Sequence, residues 1–376
     1  MKNRFLAIIL LAIWTVPSPA QVQSILIPAG TPEDEAIQNI TKESDEAKRL
    51  AMWEEFAAKY ANNPAAVAYG DSQIAQHYLS SGDAAKALAY GDKAMAAVPN
   101  NLDILMSQTM ASQQLKDNAR IMRYATLGGK AINGIKKTPA PEGVEAADWS
   151  MKLESQRNRV QQQYDFFDVA AYNAVSGEQN AKQRVEFAGQ YVAAFPDGKY
   201  ADQVHQVTIT SLLQANDFTA LAKYGEAALA ANPDNVATLS LLAYALAEDP
   251  NPKNPYLATA TQHARKAIEL GKADSPGTPR ATRLSVGLAY EALGYALMKE
   301  NKTAAAIPEF KSASNLLKDD PGSHEVVLFR MGYAYAKLKR YAEAREALNE
   351  TLAMKGPFEK PAKELLGKVN AAGSAR

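Results

Sequence analysis

The chain contains two segments, residues 87–101 and residues 221–235, that align with each other without a gap. Both have a Tyr-Gly pair at the fourth and fifth positions, an alanine three residues later, a proline near the end and a final asparagine. A further helical stretch precedes each segment and ends in a polar turn. The repeating unit is therefore helix, short turn, helix and Pro-containing turn. Such a unit buries its apolar face only by stacking on neighbouring units.

This unit resembles the tetratricopeptide repeat, a helix–turn–helix motif with a period of about 34 residues. The clearest copy spans residues 287–320. Its matching residues are Tyr290, Leu293, Gly294 and Leu297, then Ala306, Phe310 and Ala313. The next copy spans residues 325–358. Its matching residues are Leu328, Met331, Gly332 and Tyr335, then Ala344, Leu348 and Pro357.

A further copy spans residues 68–101, and residues 202–235 match mainly in their second helix. Weaker copies span residues 102–135, 165–198 and 236–271, so the resemblance covers most of the chain beyond residue 45. The resemblance implies an all-α fold, an α-solenoid in which about six or seven helix pairs form a right-handed superhelix. Small residues such as Gly332 would let two helices approach closely, and large residues such as Leu348 would fill the space beside them. The alternative is an Ala-rich helical bundle without repeats.

The pattern divides the chain into six segments. They are a signal peptide (1–20), a flexible acidic linker (21–45), N-terminal repeats (46–135), a Pro-containing insertion (136–148), C-terminal repeats with a cap helix (149–371) and a tail (372–376). An apolar stripe that begins at Trp149 runs for about seven turns and predicts one unusually long helix. The insertion before it is a candidate seam between two blocks of repeats.

The first twenty residues have the features of an export signal. Lys2 and Arg4 precede an apolar run over residues 5–16, and Ser18 and Ala20 are small residues suited to cleavage after Ala20. The alternative is an uncleaved anchor, but the run is short for a span of roughly 30 Å. We therefore expect an exported protein, periplasmic or secreted, without stable membrane insertion after cleavage.

The amino-acid composition excludes several classes of function. The chain has 41 basic and 41 acidic residues, so it lacks the basic excess that favours nucleic acid. It has no cysteine, which excludes disulfides, thiol catalysis and cysteine-ligated metals. Its four histidines are scattered, and no metal-ligand or nucleophile motif is present. The sequence thus predicts no enzyme, no metal and no cofactor.

The resemblance also implies where a partner would bind, because first helices line the concave surface in this family and extended peptides commonly bind there. The corresponding positions in this chain are Tyr69, Gln73, Gln76, Gln206, Thr210, Leu241, Tyr244, Glu291, Tyr295, Phe329, Arg330 and Tyr333. Tyrosine is common on binding surfaces since it offers apolar area and a hydroxyl group. The alternative role for these tyrosines is packing between repeats.

Three functions remain open on the sequence alone. The first is an exported, non-enzymatic scaffold that binds a protein or peptide, with a role in assembly of the cell envelope. The second is a glycan- or small-molecule-binding protein that uses the aromatic residues of the groove. The third is a hydrolase whose carboxylates converge from separate repeats. The identity of the partner and the oligomeric state do not follow from the sequence.

Overall fold

The structure, a computed structural model, describes residues 22–273 and 275–374. Within these ranges the chain is all-helical, with eighteen helices and no strand. The helices are α1 (Pro32–Thr41), α2 (Glu46–Lys59), α3 (Pro64–Ser80), α4 (Ala84–Ala97), α5 (Leu102–Gln114), α6 (Asn118–Ile135), α7 (Ala146–Arg159), α8 (Gln161–Gly177), α9 (Ala181–Ala194), α10 (Ala201–Gln214), α11 (Phe218–Ala231), α12 (Val236–Ala247), α13 (Leu257–Gly271), α14 (Arg280–Lys299), α15 (Thr303–Leu316), α16 (Pro321–Lys337), α17 (Tyr341–Met354) and α18 (Glu359–Ser374). Among the described residues, none of these helices combines the length and apolarity required of a transmembrane segment.

The turn between the two helices of a pair has a recurring local cause. Gly82 and Asn216 adopt the left-handed conformation, with φ of 83° and 54°, which ends the first helix. The next residue, Asp83 or Asp217, is the N-cap of the second helix, and its side chain accepts a hydrogen bond from the backbone N–H three residues later. The polar dipeptides seen in the sequence therefore determine where each hairpin turns.

Packing within the pairs follows the small-and-large pattern expected from the repeats. A Cβ atom added to Gly294 would lie 2.8 Å from Cδ1 of Phe310, and one added to Gly332 would lie 2.8 Å from Cγ of Leu348. A bulkier residue at either glycine would push its helix away from the partner helix. The helix pair that resembles the tetratricopeptide repeat, and the all-α fold class, are confirmed.

The chain forms two compact units. Unit 1 comprises Met1–Ala174 and Ala193–Phe195, of which residues 22–174 and 193–195 are described. It contains the pairs α1/α2, α3/α4 and α5/α6, followed by α7 and most of α8. Its N-terminal core holds Trp53, Phe56 and Ile74.

Unit 2 comprises Val175–Val192 and Pro196–Arg376. It contains the pairs α10/α11, α12/α13, α14/α15 and α16/α17, and α18 packs against α17 as the expected cap helix. Ala362 and Val369 of α18 are buried in the same apolar cluster as Leu348 of α17. The final helix thus covers the apolar face that the last pair would otherwise expose.

Several expected boundaries were wrong. The stretch 21–45, expected to be a flexible linker, contains α1, because Thr31 caps the helix and Pro32 begins it. The long helix after Trp149 is divided into α7 and α8 at Val160, whose φ and ψ of −105° and 17° leave the helical region. The helix α18 continues to Ser374, into the expected tail.

The expected seam at residues 136–148 also differs from the division between the units. Nε1 of Trp149 donates to the carbonyl oxygen of Thr138 at 2.9 Å, which ties the start of the insertion to α7. Further along unit 1, Gly128 faces the ring of Phe167 and Gly129 faces the ring of Phe195. These contacts extend the core of unit 1 well beyond the insertion. The expected signal peptide, residues 1–20, lies outside the described residues.

Candidate partner-binding site

Three successive first helices of unit 2 bring expected groove residues together. Tyr244 comes from α12, Glu291 and Tyr295 from α14, and Arg330 and Tyr333 from α16. Because the first helices of neighbouring pairs pack side by side, residues far apart in the chain meet on one face. We call Tyr244, Glu248, Glu291, Tyr295 and Arg330 the Arg330 cluster, and Tyr333 is its exposed neighbour.

Arg330 lies at the centre of the cluster. Its Nη1 is 2.9 Å from Oε1 of Glu291, and its Nη2 is 2.5 Å from Oε1 of Glu248. Its guanidinium carbon is 3.8 Å from the ring centroid of Tyr295, a cation–π distance. The side chain is only 12% exposed. The two carboxylates raise the pKa of Arg330 although burial alone would lower it.

Glu291 is the most deeply buried acid of the cluster. Burial raises its pKa to about 7, and the neighbouring Glu248 adds to this effect, while Arg330 opposes it. Within the described part of the chain, its Oε2 atom is buried and has no hydrogen-bond partner. Burial also raises the pKa of Tyr244 and of Tyr295. The cluster is therefore a desolvated polar network in which one carboxyl group titrates near neutral pH.

Two members of this neighbourhood were missed in the sequence analysis, Glu248 and Lys299. Nζ of Lys299 donates to the carbonyl oxygens of Ala247 and Asp249 at 2.6 and 2.7 Å, at the C-terminal end of α12. A cation at this end complements the helix dipole. The missed signal was spacing, because Glu248 and Lys299 each follow a groove tyrosine by four residues and so share its helix face.

The expected groove residues of unit 1 form a separate site. Tyr69, Gln73 and Gln76 of α3 line a cleft of about 610 Å³, which α5 also borders. The extended stretch at residues 22–25 forms another wall of the same cleft. We call this the N-terminal cleft.

The other expected positions do not join either site. The ring of Phe329 lies 4.9 Å from the ring of Phe358, next to the cap helix, and Phe329 packs in the apolar core there. Leu241 packs against the core of α12 and its neighbours. Gln206 and Thr210 are exposed on α10. For Phe329 and Leu241, the alternative role in packing between repeats is the one that the contacts support.

Two of the four histidines, His205 and His324, take part in local hydrogen bonds. Nδ1 of His205 lies 2.9 Å from the Tyr224 hydroxyl group, and Nε2 of His324 lies 3.0 Å from that of Ser314. Across residues 22–273 and 275–374, no group of three or more His, Asp or Glu side chains is arranged to hold a metal ion.

No protein-family model and no curated protein sequence matches this chain. Among solved structures, the chain is similar to one in the APC/C hetero-tetramer Cut9-Hcn1, with 14% identity and a TM-score of 0.42 over 90% of this chain. The chain spans 62% of the length of that protein.

Two further structures are similar to this chain. One is the TPR domain of P58(IPK), with 13% identity, a TM-score of 0.30, and coverage of 92% of this chain and 99% of that one. The other is a Rap protein complexed with competence and sporulation factor, with 12% identity, a TM-score of 0.30, and coverage of 80% of each chain. These similarities concern the fold, and no functional conclusion rests on them.

Proposed function

We propose that this protein is a non-enzymatic scaffold of the tetratricopeptide-like kind that binds a protein or peptide partner on its first helices. One observation carries the proposal. Three first helices of unit 2 place the Arg330 cluster and the exposed Tyr333 on one face, although their residues lie far apart in the chain. A rigid polar and aromatic face of this kind is typical of a protein-binding surface.

The members of this face have different roles. Arg330 is held by two carboxylates and covers the ring of Tyr295, so it forms a fixed floor. Tyr333 is 46% exposed and is the large side chain available to a partner. A tyrosine on a rigid floor loses little conformational entropy on binding, which favours affinity.

The test is affinity capture from the native cell with the wild-type protein and two single variants. Tyr333→Ala removes the exposed ring, whereas Asn349→Ala changes an exposed residue on α17, a second helix. We expect a partner that wild type and Asn349→Ala retain and that Tyr333→Ala loses. Equal retention of the partner by the wild type and both variants would contradict a partner site at Tyr333.

Glycan binding is the alternative function, and it requires an open aromatic face for stacking. The guanidinium group of Arg330 already covers one face of Tyr295, and Nζ of Lys299 lies 4.7 Å from the centroid of the same ring. These contacts favour a protein partner over a sugar at this position. Retention of the protein on a carbohydrate resin, lost with Tyr333→Ala, would reverse that preference.

We further propose that the protein is exported. The support is the order of basic, apolar and small residues in residues 1–20 of the sequence. The intact mass of the protein purified from its native cell tests this, since cleavage after Ala20 makes Gln21 the first residue. A mass that includes residues 1–20 would contradict cleavage.

A further inference from the structure

An extended stretch of the chain is bound by unit 1 as a peptide would be. Residues 22–27, which we call the N-terminal segment, contain no helix. The backbone N–H of Gln23 donates to the carbonyl oxygen of Asn100 at 3.2 Å, and Nδ2 of Asn101 donates to the carbonyl oxygen of Gln23 at 3.1 Å. The backbone N–H of Asn100 donates to Oε1 of Gln23, also at 3.1 Å. Gln23 is thus recognised through both its backbone and its side chain.

Residues 23–27 of the segment show the two-residue periodicity of an extended peptide on a surface. Gln23, Ile25 and Ile27 are partly buried, while Ser24 and Leu26 are exposed, Leu26 to 77%. Ile27 packs against the apolar cluster that contains Trp53. The bound pattern is therefore Gln-x-aliphatic-x-aliphatic, with every second side chain directed to the protein.

The N-terminal cleft beside the segment has room for more peptide. Its volume of about 610 Å³ lies within the usual range for ligand sites. Met106 and Met110 line it from α5, and methionine adapts its shape to different side chains. Of the described residues that line the cleft, Asp103 alone is charged. An uncharged peptide therefore matches this lining.

The segment is joined to the body of unit 1 by a turn. Residues 28–31 hold Pro28 and Gly30, and Gly30 has a φ of 76°, in the left-handed region. The backbone N–H of Thr31 donates to the carbonyl oxygen of Pro28 at 3.4 Å, just before α1 begins. This turn separates residues 22–27 from the helix pairs of unit 1.

We propose that the position along the edge of the N-terminal cleft where the N-terminal segment lies binds an extended, uncharged peptide of the pattern Gln-x-aliphatic-x-aliphatic from a partner protein, and that the segment fills this position when the partner is absent. The proposal rests on the proposed function and specifies its ligand class in unit 1. The resident segment defines the ligand chemistry because the same three hydrogen bonds and apolar contacts are available to any chain with this pattern.

The first test measures binding of a labelled peptide with the sequence of residues 22–27, blocked at both ends, to the full-length protein. The double variant Gln23→Ala, Ile25→Ser weakens the resident segment and should bind the peptide at least tenfold more tightly than wild type. Leu26→Ser is the matched control, since Leu26 points away from the protein, and it should behave as wild type. Absence of peptide binding to the folded double variant would overturn the proposal. An equal gain in peptide affinity in Leu26→Ser would overturn it as well.

A second variant tests the hydrogen bond that the body of unit 1 donates to the peptide. Asn101 also caps α5, since its Oδ1 accepts a hydrogen bond from the backbone N–H of Ile104. Asn101→Asp keeps this cap but loses the Nδ2 donor to the peptide carbonyl oxygen. When it is added to the double variant, peptide affinity should fall about tenfold with the α-helical circular dichroism unchanged. Unchanged affinity would exclude the position proposed for the peptide.

A third measurement does not depend on weakening the segment. Because the chain has no cysteine, Leu26→Cys gives one site for a fluorescent label on an otherwise wild-type protein. Saturating peptide should displace the segment and lower the fluorescence anisotropy of the label. Unchanged anisotropy at saturating peptide would overturn the proposal that a partner peptide displaces the N-terminal segment.

Three other outcomes distinguish this proposal from a dimer interface and from the proposed site at Tyr333. If the wild type forms dimers and Ile25→Ser abolishes them, the cleft binds the N-terminal segment of a second copy of this chain. That result would contradict binding of a partner peptide. Failure of peptide binding, with capture through Tyr333 intact, would reject only this inference. Loss of capture through Tyr333 with peptide binding intact would reject the role of the Arg330 cluster instead.

Discussion

Glu291 is a carboxylic acid in a place from which the fold excludes water. Its pKa is raised to about 7 because burial penalises the charged form more than the pairing with Arg330 favours it. The folded protein therefore binds this proton more tightly than the unfolded chain does. The stability that the group contributes is fully present below its ordinary pKa of 4.5 and is lost as the pH rises to about 7.

The prediction concerns Glu291→Gln, which keeps the acceptor for Arg330 but does not titrate. Between pH 4.5 and pH 7.5 the wild type should lose about 3 kcal/mol of unfolding free energy relative to this variant. Urea unfolding at several pH values measures the difference. Glu269→Gln, an exposed control on α13, should follow the wild-type curve. Parallel curves for wild type and Glu291→Gln would contradict the raised pKa.

Arg330 and Tyr333 lie one helical turn apart on α16 but are expected to matter for different reasons. Arg330→Met removes the partner of two carboxylates and should cost about 3–5 kcal/mol of stability, as removal of one member of a buried ion pair does. Tyr333→Ala, at an exposed position, should change stability by about 0.5 kcal/mol or less. Thermal unfolding of the two variants tests this. Similar losses in both would place Tyr333 in the core.

At the scale of helices, some glycines mark where two helices touch and others do not. A Cβ atom on Gly332 would lie 2.8 Å from Cγ of Leu348, whereas one on Gly367 of α18 would meet no atom within 4 Å. Gly332→Ala should therefore cost about 1–3 kcal/mol, and Gly332→Leu should cost more. Gly367→Ala should raise the free energy of unfolding by about 0.5–1 kcal/mol, because alanine has a higher helix propensity than glycine. Urea unfolding of the matched pair decides, and equal effects would invalidate the assigned repeat register.

The helices were predictable from sequence because their signals are local. The repeats, the polar turns and the close contacts at Gly294 and Gly332 all follow from spacing and residue size. The grouping of Tyr244, Glu291, Tyr295 and Arg330 followed from the repeat register, since equivalent positions on successive first helices share a face. What was missed depends on tertiary contacts.

The missed features show the limit of local reasoning. The N-terminal segment pairs with Asn100 and Asn101, about 78 residues away, and no periodicity in residues 21–45 indicates this. The break at Val160 interrupts an apolar stripe that remains continuous in sequence. The role of Phe329 in packing depends on its contact with Phe358, which lies beyond the end of its own helix pair.

At the scale of the whole molecule, the two units each carry a candidate site of different chemistry. Unit 1 has a cleft in which Asp103 is the one charged residue among the described lining residues, already in contact with an extended segment, and unit 2 has a desolvated charged network next to an exposed tyrosine. The sequence placed the seam at the Pro-containing insertion, but contacts such as Trp149 to Thr138 extend unit 1 beyond it.

The central claim is that a partner binds on first helices, and site-specific photo-crosslinking tests it most directly. A photoreactive phenylalanine replaces Tyr333 in unit 2, Gln76 in unit 1, or Asn349 on a second helix, all exposed positions. In native cells we predict a crosslinked partner from position 333 and from position 76, and none from position 349. Crosslinks from position 349 alone, or equal crosslinks from all three positions, would contradict the account.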